Sequence, residues 1–217
     1  MSSADFLYPM IEGDETDAAS LLADLERSAD AKATTSAALT AATLDQVDRQ
    51  LEEVAAEMAR RFAAGGRLFT CGNGGSATDA AGVAALFTYP PHGDPLPARS
   101  LVSDESILTA LSNDIGFEVV FSRQLIAHAR AGDMVMGFST SGNSPNVIKA
   151  FEEAARREVL TIGLAGYEGG AMAACDALVH CIVVRSDSVH RIQEAQSATA
   201  YRLWERVQSR LPAEVMA

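Results

Sequence analysis

The run Ser139-Thr140-Ser141-Gly142-Asn143-Ser144 places four hydroxyls where the apolar stretch Met134 to Gly137 gives way to an amphipathic segment opening at Pro145. That composition suits an anion. Where a strand turns into a helix, the first-turn N–H groups lack intrahelical partners and face outward with the positive end of the helix dipole, so a phosphate is stabilised there without Lys or Arg. Pro145 fits the first helical position, where a missing N–H costs nothing. An ordinary helix capped by Ser or Thr is the other reading of the same residues. A second loop, Cys71-Gly72-Asn73-Gly74-Gly75-Ser76, follows Arg67 to Thr70 and leads into an Ala-rich run from Ala77. Its glycines let a ligand approach the backbone, and Asn73 and Ser76 supply polar side chains at another helix start. Gly72, Gly74 and Ala77 also match the dinucleotide pattern G-x-G-x-x-A. The acidic residue of that pattern would fall near Asp94, inside a turn-rich Pro90 to Pro95, with Asp104 a poor substitute, and no G-x-x-x-x-G-K-[ST] occurs. The residues favour a phosphate over a nucleotide.

Positioning two such loops requires strands that end in them and helices that begin at them. Arg67 to Cys71, Ala98 to Val102, Met134 to Ser139, Leu160 to Ala165 and Leu178 to Val184 read as strands, apolar through most of their length. Between them Ala77 to Thr88, Ser106 to Ser112, Glu118 to Ala129, Asn146 to Arg157 and Gly170 to Ala174 read as helices, with a last helix from about Val189 to Leu211. Buried strands alternating with helices predict an α/β fold with a parallel sheet covered on both faces. Ligands of such sheets lie beyond the carboxyl ends of the strands, and the two loops converge there if their strands are neighbours at a topological switch point.

Composition sets the outer limits. With 217 residues, 48% of them apolar, the chain forms one sizeable core without disulfides or metals. No Gly or Pro occurs between Asp14 and Ala64, so residues 1–64 form a helical segment that precedes a ligand-binding domain at 65–212. Leu44, Val47, Leu51, Val54, Met58 and Phe62 make a narrow apolar stripe suited either to a neighbouring helix or subunit, and hence to oligomerisation, or to the chain's own sheet. A net charge of −12 and a pI near 4.7 argue against nucleic acid as a partner. Cys71, Cys175 and Cys181 form no C-x-x-C pair, which fits reduced thiols. No signal pattern or membrane-length apolar run is present, so the expectation is a soluble, cytoplasmic protein without a membrane partner.

Four motifs together, Cys71 to Ser76, Ser112-Asn113-Asp114, Ser139 to Ser144 and Arg191-Ile192-Gln193-Glu194, resemble the phosphoheptose isomerase branch of the sugar isomerase (SIS) domain family. The resemblance covers about Phe62 to Leu211 in order and spacing. It implies a three-layer α/β/α sandwich with a five-stranded parallel sheet of flavodoxin-like type and added N-terminal helices. It also implies a homotetramer whose small-molecule partner is a sugar phosphate, with sites shared between subunits. By this similarity Ser76, Ser139, Thr140, Ser141 and Ser144 hold the phosphate, and Asn73, Asp114 and Gln193 face the sugar.

Enzymes of that branch interconvert sedoheptulose 7-phosphate and an aldoheptose 7-phosphate. They move a proton between adjacent carbons through an enediolate, which demands an acid and a base. The family typically supplies a Glu on the helix after the glycine loop and a His on the last helix, with a zinc held nearby by residues of those helices. At the corresponding positions this chain has Gly82 and Leu86, then Gln196 and Tyr201, while Gln193 and Glu194 remain. Neither Gly82 nor Leu86 titrates or ligates a metal, so no metal and no other cofactor is expected. Glu194, His190 and Tyr201 are the residual acid or base candidates, Asp79 and Asp114 are further carboxylates, and His180 reads as a core histidine. Three functions stay open: a phosphosugar-binding protein with isomerase chemistry lost or altered, an active isomerase with a rewired acid/base set, and a tetrameric scaffold like the replication-initiator-associating relatives of this branch.

Overall fold

The computed structural model describes residues 18–211. Residues 1–17, part of the expected segment 1–64, and residues 212–217, of which 212 ends the expected domain 65–212, lie outside it. The chain divides into two compact units, one ending at Ala38 and one beginning at Leu39. The first is helical from Ala18, with Thr34 and Thr35 returning their hydroxyls to the carbonyls of Asp30 and Ala31. Helix α1, Ala18–Ala63, begins in it and ends in the second.

The second unit continues as β1 (Leu68–Gly72), α2 (Gly75–Thr88), β2 (Ala98–Ser100), α3 (Glu105–Asp114), a 3-10 turn (Phe117–Val119), α4 (Val120–His128), β3 (Met134–Ser139), α5 (Pro145–Arg156), β4 (Leu160–Gly166), α6 (Gly170–Ala173), β5 (His180–Val184) and α7 (Val189–Gln208). All five strands are parallel, in the order β2-β1-β3-β4-β5. The direction of growth reverses between β1 and β3, which is the switch point where α/β sheets bind ligands. Elements and expectations differ by no more than two residues at the ends, as helix and strand termini usually do, except that α7 ends at Gln208, three residues before the expected Leu211. One difference is of type: the helix expected from Glu118 opens as a 3-10 turn after Gly116 at φ 135° and becomes α-helical at Val120.

Period-two alternation sends side chains to opposite faces of the sheet. Leu68, Met134, Met136, Phe138, Leu160, Ile162, Leu164 and Ile182 pack with α1, α2 and α7. Phe69, Cys71, Val135 and Ala165 pack with α4, α5 and Met172. The result is a three-layer α/β/α sandwich. On the first face lie Val47, Leu51, Val54, Met58 and Phe62, all buried, with Leu44 against them. Within the chain the apolar stripe meets both the sheet and neighbouring helices: Phe62 stacks on Phe87 of α2 with ring centroids 5.6 Å apart.

At the amino ends of the strands, Asp133 is fully buried and accepts from Arg67 Nη2 at 2.7 Å and from the backbone N–H groups of Arg67 and Arg130, each at 2.9 Å. This clamps the entry of β1 to that of β3. The cysteines are free. Among the described residues no helix is long and apolar enough to cross a membrane.

Candidate functional site

Pairing of β1 with β3 sets Gly72 opposite Phe138 and delivers both loops to one edge of the sheet. At the serine loop, Ser139 Oγ lies 2.9 Å from Ser144 Oγ and 3.4 Å from Ser141 Oγ. Ser141 Oγ also accepts from the N–H of Asn143 at 3.1 Å, closing a short turn. Gly142 takes φ 66° in this turn, and a Cβ there would stand 2.1 Å from the carbonyl oxygen of Gly169, so only glycine fits. The loop is thereby braced against the turn before α6, and Asn143 Oδ1 accepts from the N–H of Ala171 at 2.8 Å.

Helix α5 starts as its sequence predicts, with Ser144 as N-cap residue and Pro145 in the first turn, but the Ser144 side chain does not cap. It turns to Ser139 instead. Helix α2 follows Gly74 at φ 55°, again with no side chain capping. Neither helix amino end is therefore capped by a side-chain hydrogen bond, and uncapped helix amino ends of this kind receive anions. Asn73 and Asn146 lock the loops together: Asn73 Nδ2 donates to Asn146 Oδ1 at 2.8 Å and Asn146 Nδ2 returns to Asn73 Oδ1 at 2.9 Å. Ser76 is buried in the first turn of α2 and Thr140 is half-buried beside Ser139. Gln193 on α7 lies over Gly75, where an added Cβ would meet its Nε2 at 2.2 Å.

Asp114 stands apart from these residues. It is the exposed last residue of α3, and its Oδ1 accepts from Asn113 at 3.1 Å with no hydrogen bond to either loop. Asp104, weighed as a ribose ligand, caps α3 by accepting from the N–H of Ile107 at 3.0 Å. Glu194 is exposed and paired with Arg191 at 2.6 and 2.8 Å, His190 is exposed on the first turn of α7, and Tyr201 is 42% exposed with its ring 5.2 Å from that of Trp204. His180 is half-buried against Glu57 at 3.3 Å. Cys71 enters the glycine loop fully buried, and burial pushes its thiol up to about 12, which removes it as a nucleophile.

The positions that matter for metal and base are chemically poor. Gly82 is exposed with open space where a side chain would grow, Leu86 packs against the core, and Gln196 is fully buried with neither amide atom hydrogen-bonded. This donor set does not fit zinc, and among the described residues no three His, Cys, Asp or Glu side chains group as metal ligands.

A cleft of about 460 Å³ opens beside the glycine loop, between Asn73, Thr78 and Glu105 and an apolar wall of Val102, Leu108 and Phe117. A cleft of about 550 Å³ lies instead at the amino ends of the strands, lined by Glu57, Arg60, Arg61 and Arg130. There Arg61 donates to the carbonyls of Asp133 and Glu158, so its charge serves chain ends and turns. Asn146 and the wall residues are absent from the candidates read from sequence. An Asn after a helix-starting Pro is a local signal, but its partner lies across the sheet.

Comparison with known proteins agrees with the fold. The family model for the SIS domain matches residues 33–166. The phosphoheptose isomerase of Nitratidesulfovibrio vulgaris is 48% identical over 64% of this chain and 69% of its own. That of Solidesulfovibrio magneticus is 42% identical over 76% and 81%. Among solved structures, the phosphoheptose isomerase of Neisseria gonorrhoeae superposes with a TM-score of 0.79 at 36% identity, covering 85% of this chain and 99% of its own. This chain belongs to the SIS domain family, in its phosphoheptose isomerase branch.

Proposed function

We propose that this protein binds a sugar phosphate at the paired loops and that its aldose–ketose isomerase chemistry is lost or altered. The observation that carries the reading is the convergence of Ser139, Ser141 and Ser144 at the amino end of α5, tied by Asn146 to the glycine loop, beside an α2 whose positions 82 and 86 hold no acid, base or ligand. Ser76 and Thr140 complete the phosphate contacts in this reading, and Asn73, Gln193 and Asp114 meet the sugar. Relatives named phosphoheptose isomerases support the phosphosugar class. Proton transfer between adjacent carbons needs a general base, and its removal lowers the rate by about a hundredfold to ten-thousandfold. The protein works in this reading without metal or cofactor, in the cytoplasm, as a homotetramer whose N-terminal segment 1–64 contributes to assembly.

Solvent-deuterium exchange into sedoheptulose 7-phosphate, run beside a thermal-shift titration with the same compound, tests it. A raised melting temperature with exchange at least a hundredfold below a competent isomerase is the expected result. Robust exchange would instead make the protein an enzyme with a rewired set, to be sought at Glu194, His190 and Tyr201. No shift with any phosphosugar would leave the scaffold role.

A further inference from the structure

Among the described residues that line the cleft of about 460 Å³ beside the glycine loop, Glu105 is the only one that titrates. Asn73 and Thr78 are the other polar side chains there. Glu105 is the exposed first residue of α3. Asp104 before it is the N-cap and accepts from the N–H of Ile107 at 3.0 Å, so the helix start is served without Glu105. The Glu105 carboxylate itself enters no hydrogen bond or ion pair among the described residues.

The cleft joins the two parts of the site that matter for chemistry. At one side it is lined by Asn73, whose amide is tied to the serine loop through Asn146. Along α2 it is lined by Thr78, four residues before Gly82, and residues four apart lie on one face of a helix. Thr78 and Gly82 are both exposed, so the cleft runs toward one of the emptied positions. Glu194, His190 and Tyr201 do not line it, and Glu194 is held by Arg191 at 2.6 Å. The carboxylate that borders the cleft thus comes from α3, an element that supplies no base in the related enzymes.

We infer that Glu105 is the proton-transfer residue of the altered site and acts on the carbon atoms of a sugar phosphate held by the two loops. The inference rests on the phosphosugar reading above. The carboxylate takes the proton from the carbon beside the carbonyl, the C–H electron pair becomes the double bond of the enediolate, and the carbonyl oxygen takes the negative charge. Return of a proton from Glu105 to the neighbouring carbon, with the hydroxyl proton passing from one oxygen to the other, gives the isomer and restores the carboxylate. Because Glu105 is exposed, its proton exchanges with solvent before it returns, and deuterium enters the sugar. No neighbour holds the side chain in place, so the rate it supports stays far below that of a positioned base.

Long-incubation deuterium exchange into sedoheptulose 7-phosphate, with calorimetry on the same compound, tests this in wild type, Glu105→Gln and Glu105→Asp. An exposed side chain changed to its own amide leaves the fold intact. Wild type should exchange slowly but above the rate in buffer alone. Glu105→Gln should lower that rate by about a hundredfold, or to the buffer level, with affinity within about twofold of wild type. Glu105→Asp should keep a measurable part of it. Exchange undiminished in Glu105→Gln, no exchange by a wild type that binds the sugar phosphate, or affinity lost in step with exchange would each overturn the inference while the phosphosugar reading stands. A wild type that binds no sugar phosphate would overturn both.

Discussion

Asn73 and Asn146 exchange a pair of amide hydrogen bonds, at 2.8 and 2.9 Å, across the gap between the loop after β1 and the first turn of α5. Each side chain satisfies the other, and Asn146 Oδ1 accepts in addition from the N–H of Val147 at 3.0 Å. The two halves of the site are held in register by side chains and not only by the sheet beneath them.

Asn146→Ala should therefore act on stability and on affinity together. It leaves the Asn73 amide without its partner in a half-buried place, at about 1 to 3 kcal/mol. Urea denaturation should register that loss, and phosphate affinity should fall with it. A variant with unchanged phosphate affinity would show that the loops keep their spacing without the pair.

Within the serine loop, Ser141→Ala and Thr140→Val each remove a hydrogen bond to a charged group, worth about 1.5 to 3 kcal/mol. Calorimetry with inorganic phosphate should show each loss at nearly constant melting temperature. Ser144→Ala should cost less stability than a usual N-cap deletion, because its hydroxyl turns to Ser139 and does not cap α5. Undiminished affinity in the Thr140 and Ser141 double variant would place the anion elsewhere.

The stripe on α1 gives a prediction about folding. Leu51 and Val54 are fully buried against the chain's own sheet. Leu51→Ala should destabilise by about 2 to 5 kcal/mol, and Leu51→Asp with Val54→Asp should abolish the cooperative thermal transition seen by circular dichroism. A folded double variant of reduced mass in light scattering would mean that these residues meet a neighbouring subunit.

Acid stability should depend on Asp133. Burial would raise its carboxyl, but hydrogen bonds from Arg67 and from the Arg130 and Arg67 amides outweigh burial and hold it below the usual range. A folded pKa below the unfolded one contributes stability that is present above the unfolded value, about 3.9, and is lost as the pH falls through the folded value. Asp133→Asn should therefore be clearly less stable than wild type at pH 7, and the gap should narrow below about pH 4. A gap that stays constant down to pH 2 would detach the effect from this carboxylate.

Restoring the missing donors tests the account of the chemistry. Nothing lies within 4 Å of where a Cβ at Gly82 would be, so Gly82→His fits, with about 1 kcal/mol or less of helix propensity in its favour. Leu86→Glu is harder, because Leu86 packs on the core beside the stripe residues. The fourfold variant Gly82→His, Leu86→Glu, Gln196→His and Tyr201→His should bind zinc in metal analysis and recover measurable deuterium exchange. Robust turnover by the unaltered protein, abolished by Glu194→Gln or His190→Ala, would refute the loss of chemistry.

Legibility from sequence followed the range of the interactions. β3 was readable to the residue because an apolar run ends at a hydroxyl-rich loop, and the start of α5 because Pro145 marks it. The stripe on α1 showed which face is apolar and could not show what covers it, since a helical period carries no information about the partner. Asn146 escaped notice as a tie for the same reason: Asn73, which gives it meaning, is distant in the chain. The reverse holds for Asp114, whose motif is plain in sequence while its side chain meets only its neighbour Asn113.

The neighbouring of β1 and β3 has a kinetic side. It joins Leu68 to Met134, the most widely separated of the sheet's four pairings, with β2, α3 and α4 threaded in the intervening chain. Closing so long a segment carries an entropy cost that shorter loops avoid, so this pairing is expected late on the folding path. The serine loop carries four of the proposed phosphate contacts by itself, and the glycine loop brings Ser76 and Asn73 beside them only through that step, so the proposed site is complete only in the native sheet. A ligand of the proposed kind that needs both loops binds the native state better than its precursors, which raises the barrier to unfolding and leaves the rate of folding unchanged.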